Sequence, residues 1–328
     1  MARFNFTAFL AMIALICLGS ISHGQIFLGD TGNDDNGVGF NSVDFNLTSI
    51  INCVPNGADE DDLDIVCNFF LEELIDQLVE AENVLDEIFA GYRQDSPRFF
   101  RNQLDGPVVI DVVFSPESDD VGGVLATAGP DSFASFISNP FLATRFGSPV
   151  RDWVVPRTAT MNLDVADIPG LVVTELMIDV AVHEAFHAMG HPAAFEFSLL
   201  NAPSGFGQLS FVGDPSGVNG AGHGVSEFRQ ESGNLLATFV PLSQTDDGGH
   251  LSPFEPVFVR FDEGFQETFI PFAPPPGIQG IMSFTLQGMF ADLGYRVRGI
   301  NAPGFIDLDD DGEADDPVIL NPILGDHN

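Results

Sequence analysis

The chain has 328 residues, 45% of them hydrophobic, which is enough to bury a full core in one main domain with small appendages. Its 48 acidic residues stand against 11 basic ones, all of them Arg, for a formal net charge of −37. So negative a surface repels phosphate backbones and anionic lipid, which argues against nucleic acid or a membrane surface as partner and suits a salty external medium.

Arg3 precedes an apolar stretch from Ala8 to Leu18, and the small residues Ser22 and Gly24 suit signal-peptidase cleavage before Gln25. Residues 1–24 therefore read as a signal peptide, with an apolar run too short to span a bilayer. Ile16 stands before Cys17 where lipoprotein processing wants a small residue, so the expectation is a secreted chain without a membrane anchor. Beyond the signal only Cys53 and Cys67 remain, an even pair bound for an oxidising space and expected to form a disulfide.

Residues 25–100 form an acidic lead-in and helix, a candidate pro-segment. Up to about residue 66 the segment is rich in Gly, Asn and Asp and reads as irregular. From Asn68 to Arg93, Phe70, Leu71, Leu74, Ile75, Leu78, Val79, Val84, Leu85, Ile88 and Phe89 recur at helical spacing and predict an amphipathic helix. Residues 101–300 form the main domain. There Val108–Phe114 reads as a buried strand, and further strand signals run from Ser148 to Asn162. A helix begins near Val172 and runs through Val182 into His183-Glu184-Ala185-Phe186-His187, with Gly190 and Pro192 as its stop. The Gly-rich stretch from Ser204 to Gly224 reads as turns and lacks the strand–turn–helix setting of a phosphate loop. A last helix covers Ser283 to Leu293, is ended by Gly294, and leads into a short strand, Tyr295–Arg298. Residues 301–328 are an acidic tail. Helices and strands in this order predict an α+β fold with a mixed sheet.

The chemistry concentrates in the His-Glu-Ala-Phe-His segment. Residues four apart share a helix face, so His183 and His187 can offer two imidazole nitrogens to one metal ion, and zinc suits neutral imidazole. Glu184 is offset around the helix and can reach a water at the metal as general base without taking a coordination position. A catalytic zinc takes three protein ligands, so a third is needed. The residue six positions after His187 is Ala193, which leaves His191, His223 and His250. His191 lies past the Gly190 stop, whereas His250 follows Gly248-Gly249, where the backbone can approach an ion closely; His250 is the preferred third ligand, with His223 next. Asp179, one turn before His183, is a candidate acceptor for a ligand imidazole N–H.

Thr158-Ala159-Thr160-Met161-Asn162-Leu163-Asp164, Val182 to Gly190 around the His pair, Glu231-Ser232-Gly233-Asn234, Gly248-Gly249-His250 and Ala291-Asp292-Leu293-Gly294-Tyr295 occur in the order seen in leishmanolysin-like zinc metallopeptidases. The resemblance covers about residues 107 to 298. It implies a metzincin-like zincin domain with a mixed sheet, an active-site helix and a C-terminal helix, one catalytic Zn2+ on His183, His187 and His250, and hydrolysis of a protein or peptide substrate with Glu184 as general base. The family's third His comes after a long insertion, which matches His250. Its Met turn is replaced here by Glu267-Thr268-Phe269-Ile270, where Phe269 can supply an apolar floor instead, and Met282 lies too near the last helix for that role. His191 stands where the family has an apolar residue.

Asp307, Asp309, Asp311 and Gly312, with Asp315 in the ninth position, match the start of a Ca2+ loop, but its twelfth position is Val318 rather than Glu. A looser calcium site or a solvated tail are both compatible with this pattern. The alternative to an exported endopeptidase is a catalytically silent zincin-fold extracellular binding protein; a calcium-dependent surface protein with an accidental His motif is the more distant rival. No Gly-x-Ser-x-Gly elbow supports serine chemistry.

Overall fold

Strand β3 (Val108–Phe114) is an inner strand of the main sheet, and its alternation turns Val108, Ile110, Val112 and Phe114 to one fully buried face while Val109, Asp111 and Val113 face the other way, with Asp111 exposed. It lies between β1 (Val43–Asn46) and β5 (Asp152–Leu163), parallel to both, and β5 in turn pairs antiparallel with β4 (Ala126–Ile137). The sheet is therefore mixed, in the order β1-β3-β5-β4. The computed structural model describes residues 43–92, 107–114, 124–137, 152–193, 201–203, 209–213, 222–243, 249–260, 265–267, 269–271, 279–297 and 318–319. The signal segment 1–24 and the Asp307, Asp309, Asp311 and Asp315 run lie outside these residues.

Helix α1 (Thr48–Ile51) and helix α2 (Glu60–Phe69) replace the irregular lead-in expected there. Asp59 caps α2 by accepting the Asp61 and Asp62 N–H groups, and three acids fill its first turn, so the acidic cluster read as loop composition is a helix start. Cys53 and Cys67 form the expected disulfide, with Cα atoms 6.1 Å apart. Helix α3 (Leu71–Ile88) follows at once, with Leu74, Leu78, Ala81, Leu85 and Ile88 buried. Its neighbour on the sheet is helix α5 (Leu176–Ala188), which packs beside α3 and against β3, β4 and β5. A short helix, α4 (Ile168–Val173), precedes α5, and the single helix expected from Val172 is broken at Glu175, whose φ is 59°.

The rest of the chain forms β6 (Asn201–Pro203), β7 (Leu209–Phe211) and β8 (Val240–Pro241) in one small sheet, and β9 (Val259–Arg260), β10 (Phe265–Glu267), β11 (Gln279–Met282) and β13 (Val318–Ile319) in another. Between these lie helix α6 (Gly222–Ser232) and helix α7 (Phe284–Leu293). Ser283 caps α7 through the Leu286 N–H, and Gly294 ends it at φ 116°. Strand β12 (Tyr295–Val297) then pairs antiparallel with β2 (Phe89–Tyr92), which leaves the end of α3. The segment 43–92 thus contributes a strand to the central sheet, a helix to its face and a partner for β12.

Candidate metal centre

Helix α5 buries ten of its residues, including Met177, Ile178, Val180, Ala181, Val182, Ala185 and Phe186. Apolar nearly all round, it is a core helix rather than a surface one. His183 and His187 are half-exposed on it, so the i, i+4 pair forms the one stripe that its motif region turns outward. Beneath that stripe Phe186 packs on Phe290 (5.4 Å between ring centroids), and Phe89, Phe290 and Tyr295 complete an aromatic cluster joining α5, α7 and the β2–β12 pair. The Tyr295 hydroxyl donates to the Met189 carbonyl at 3.0 Å and fastens the end of the helix.

His250 reaches the same point from a loop 63 positions downstream of His187. Its Nε2 lies 2.9 Å from Nε2 of His183 and 3.1 Å from Nε2 of His187. The three side chains together form a group able to hold a metal ion. A single N–H on His250 could serve one of its two neighbours, whereas a cation serves three nitrogen lone pairs at once. Nitrogens held by zinc at about 2.0–2.1 Å in a tetrahedron sit about 3.3 Å apart, so the observed spacing fits after an outward shift of a few tenths of an ångström. The Nδ1–H of His187 donates to the His191 carbonyl at 3.0 Å, and because a carbonyl can only accept, Nε2 is left as the lone-pair nitrogen a metal requires.

Glu184 is buried, and its carboxylate accepts the backbone N–H of Ala128 in β4. Its Oε2 has no hydrogen-bond partner. Burial pushes the carboxyl up to about 8, and the Ala128 N–H opposes this. A divalent cation, were one held by the imidazoles, would act in the same direction as Ala128, favouring the carboxylate.

No protein-family model and no curated protein matches this chain. The site's chemistry accordingly stands on its own residues.

Phe269 lies fully buried beneath the imidazoles, with its ring centroid 5.3 Å from that of His183, 4.9 Å from His187 and 5.4 Å from His250. Its ring packs against all three imidazoles, in the place an apolar floor would take. Glu267 holds this floor in place, since its carboxylate accepts the Phe269 N–H at 3.2 Å and the Ser283 N–H at 2.7 Å, tying it to the start of α7. Burial pushes the Glu267 carboxyl up to about 7 against these bonds.

The other sequence candidates lie elsewhere. His223 sits at the start of α6, where its backbone N–H donates to Asp292, and it does not belong to the converging group. His191 is buried, and its Nδ1–H donates to the Gly249 carbonyl at 3.0 Å rather than joining the three Nε2 atoms. Asp179 is buried as well, with its carboxyl pushed up to about 6 by burial, but its Oδ1 finds no partner, so that oxygen does not accept a ligand imidazole.

Sequence reading missed a reciprocal arrangement behind the site. Glu231, near the end of α6, accepts the Phe284 and Thr285 N–H groups at the start of α7, each at 3.0 Å, and the Thr285 hydroxyl. Asp292, near the end of α7, accepts the His223 and Gly224 N–H groups at the start of α6. Each helix of this antiparallel pair thus caps the other with a carboxylate at its positive end. The available signal was the presence of acids within the weak Glu231-Ser232-Gly233-Asn234 and Ala291-Asp292-Leu293 segments, both at helix ends.

Proposed function

We propose that this chain is an exported zinc-dependent endopeptidase with a metzincin-like domain. The observation that carries the reading is the convergence of three imidazole Nε2 atoms, together with a buried carboxylate on Glu184, the residue after His183, that has one oxygen still unbonded. His183, His187 and His250 would hold the ion. Bound there, zinc supplies a Lewis acid that polarises a peptide carbonyl and makes water a competent nucleophile at neutral pH.

The remaining work belongs to the chain. Glu184 takes a proton from the attacking water on its Oε2 and delivers it to the departing amide nitrogen, while the Ala128 N–H keeps its other oxygen in place. Among the described residues β4 is paired on one side only, with β5, and so offers a strand edge next to Glu184. An extended peptide can add to such an edge through main-chain hydrogen bonds, which favours peptide over small-molecule substrates. A signal peptide over residues 1–24 would bring the protein to the oxidising space that the Cys53–Cys67 disulfide requires.

The test is zinc content and casein hydrolysis of the purified chain beside Glu184→Gln and His250→Ala. One zinc per chain, retained in Glu184→Gln with hydrolysis reduced ~10²–10⁴-fold, and lost in His250→Ala, is the expected result. Zinc without hydrolysis in the parent chain would favour the silent binding protein. Hydrolysis that survives Glu184→Gln would overturn the assignment.

A further inference from the structure

We propose that His191 is a positioning residue of this metal centre, setting His187 with its carbonyl and the backbone before His250 with its ring. The inference rests on the metal-centre reading above. Two bonds of opposite polarity leave the one residue: the His191 carbonyl accepts the His187 Nδ1–H at 3.0 Å, and the His191 Nδ1–H donates to the Gly249 carbonyl at 3.0 Å across 58 positions of sequence. The first selects the tautomer and ring plane of a ligand on the helix. The second joins the chain leaving α5 to the residue immediately before the third ligand.

The loop needs such a tie, because two of the ligands stand on a packed helix while His250 stands on an irregular segment. The His250 backbone is held by the Ser243 N–H donating to its carbonyl at 2.8 Å, and the next residue by the Leu251 N–H donating to the Phe269 carbonyl at 3.0 Å. The His191 ring adds the link from this loop to the segment that follows α5. The ring is 1% exposed and stands edge-on to Phe269 at 4.9 Å, so it bears on the same floor as the three ligands. A planar, short donor is required at this place. Asn can present an N–H from nearly the position of Nδ1, whereas Phe fills the volume and presents none.

The experiment measures zinc affinity by chelator competition, and the visible spectrum of the Co(II)-substituted protein, in the parent chain, His191→Phe, His191→Asn and His250→Ala. Circular dichroism of the metal-free forms checks that each is folded. His191→Phe is expected to weaken zinc binding ~10–100-fold and alter the cobalt spectrum, with His191→Asn restoring both. A general packing role for His191 would not be rescued by Asn, which is smaller and leaves a void. His191→Phe binding as tightly as the parent with an unchanged spectrum, or His191→Asn as weak as His191→Phe, overturns the inference while leaving the metal centre intact. A parent chain that takes up no zinc, or keeps it unchanged in His250→Ala, overturns the centre itself and this inference with it.

Discussion

Replacing Gly288 by Ala tests whether the α6–α7 pair is as closely packed as the reciprocal capping requires. A Cβ built on Gly288 falls 2.8 Å from the Gly224 Cα and N atoms and from the His223 carbonyl carbon. These are backbone atoms at the start of the facing helix and cannot rotate aside. Restoring ordinary contact requires α6 and α7 to part by at least about half an ångström, and overpacking of this kind costs about 1–3 kcal/mol. Separation also lengthens the Asp292 bonds to the His223 and Gly224 N–H groups, 2.8 and 3.1 Å as they stand, and a weakened cap adds about 1 kcal/mol. The sum of about 2–4 kcal/mol corresponds to a fall in Tm on the order of 10 °C for a domain of this size. Gly170→Ala in α4 is the matched control, because nothing lies within 4 Å of its Cβ position and Ala is the better helix former. It should be neutral or stabilising by up to about 1 kcal/mol. Thermal and urea unfolding of both variants, with chelator present to remove metal linkage, gives the comparison. Equal effects from the two substitutions would refute the close crossing.

Glu82 should make stability depend on pH. It is buried in α3, accepts the Phe45 N–H at 3.4 Å, and burial, with Asp44 and Asp86 adding to it, pushes its carboxyl up to about 8 from an ordinary value of 4.5. The folded chain then holds a proton that the unfolded chain releases, so this contribution is complete below pH 4.5 and is lost as pH rises through about 8. Glu82→Gln removes the dependence, and the stability difference between variant and parent should shift in the variant's favour by up to about 1.4 kcal/mol per pH unit across that window. A flat difference in urea unfolding from pH 5 to 8 would show that Glu82 titrates normally. Phe269→Ala should cost about 3–5 kcal/mol by emptying the floor under the imidazoles, and weaken zinc binding with it, whereas Phe269→Leu should cost much less. If Phe269→Ala is no worse than Phe269→Leu in both measurements, the ring does not support the ligands.

Local pattern alone determined the parts of this protein whose partners are close in sequence. His183 and His187 share a face because 3.6 residues make a turn, β3 follows from an apolar run interrupted only by Asp111, and α7 follows from its Ser283 cap and Gly294 stop. The Cys53–Cys67 pairing needed only an even count. Tertiary structure decided what depends on closing long loops. Three His were open as the third ligand, and the approach of His250 to His187 across 63 positions settled which one joins the group. Strand β4, paired on one side only among the described residues, gave little signal because Gly129, Pro130, Ser132 and Ser135 depart from the usual strand composition. Helix α6 was missed because it starts within the end of the Gly-rich stretch, where Gly224 is required by close contact with α7, not by a turn. The partners of Glu231, Glu267 and Asp292 were illegible for the same reason: a carboxylate's meaning depends on the N–H groups around it, and those arrive from other elements only when the chain has folded.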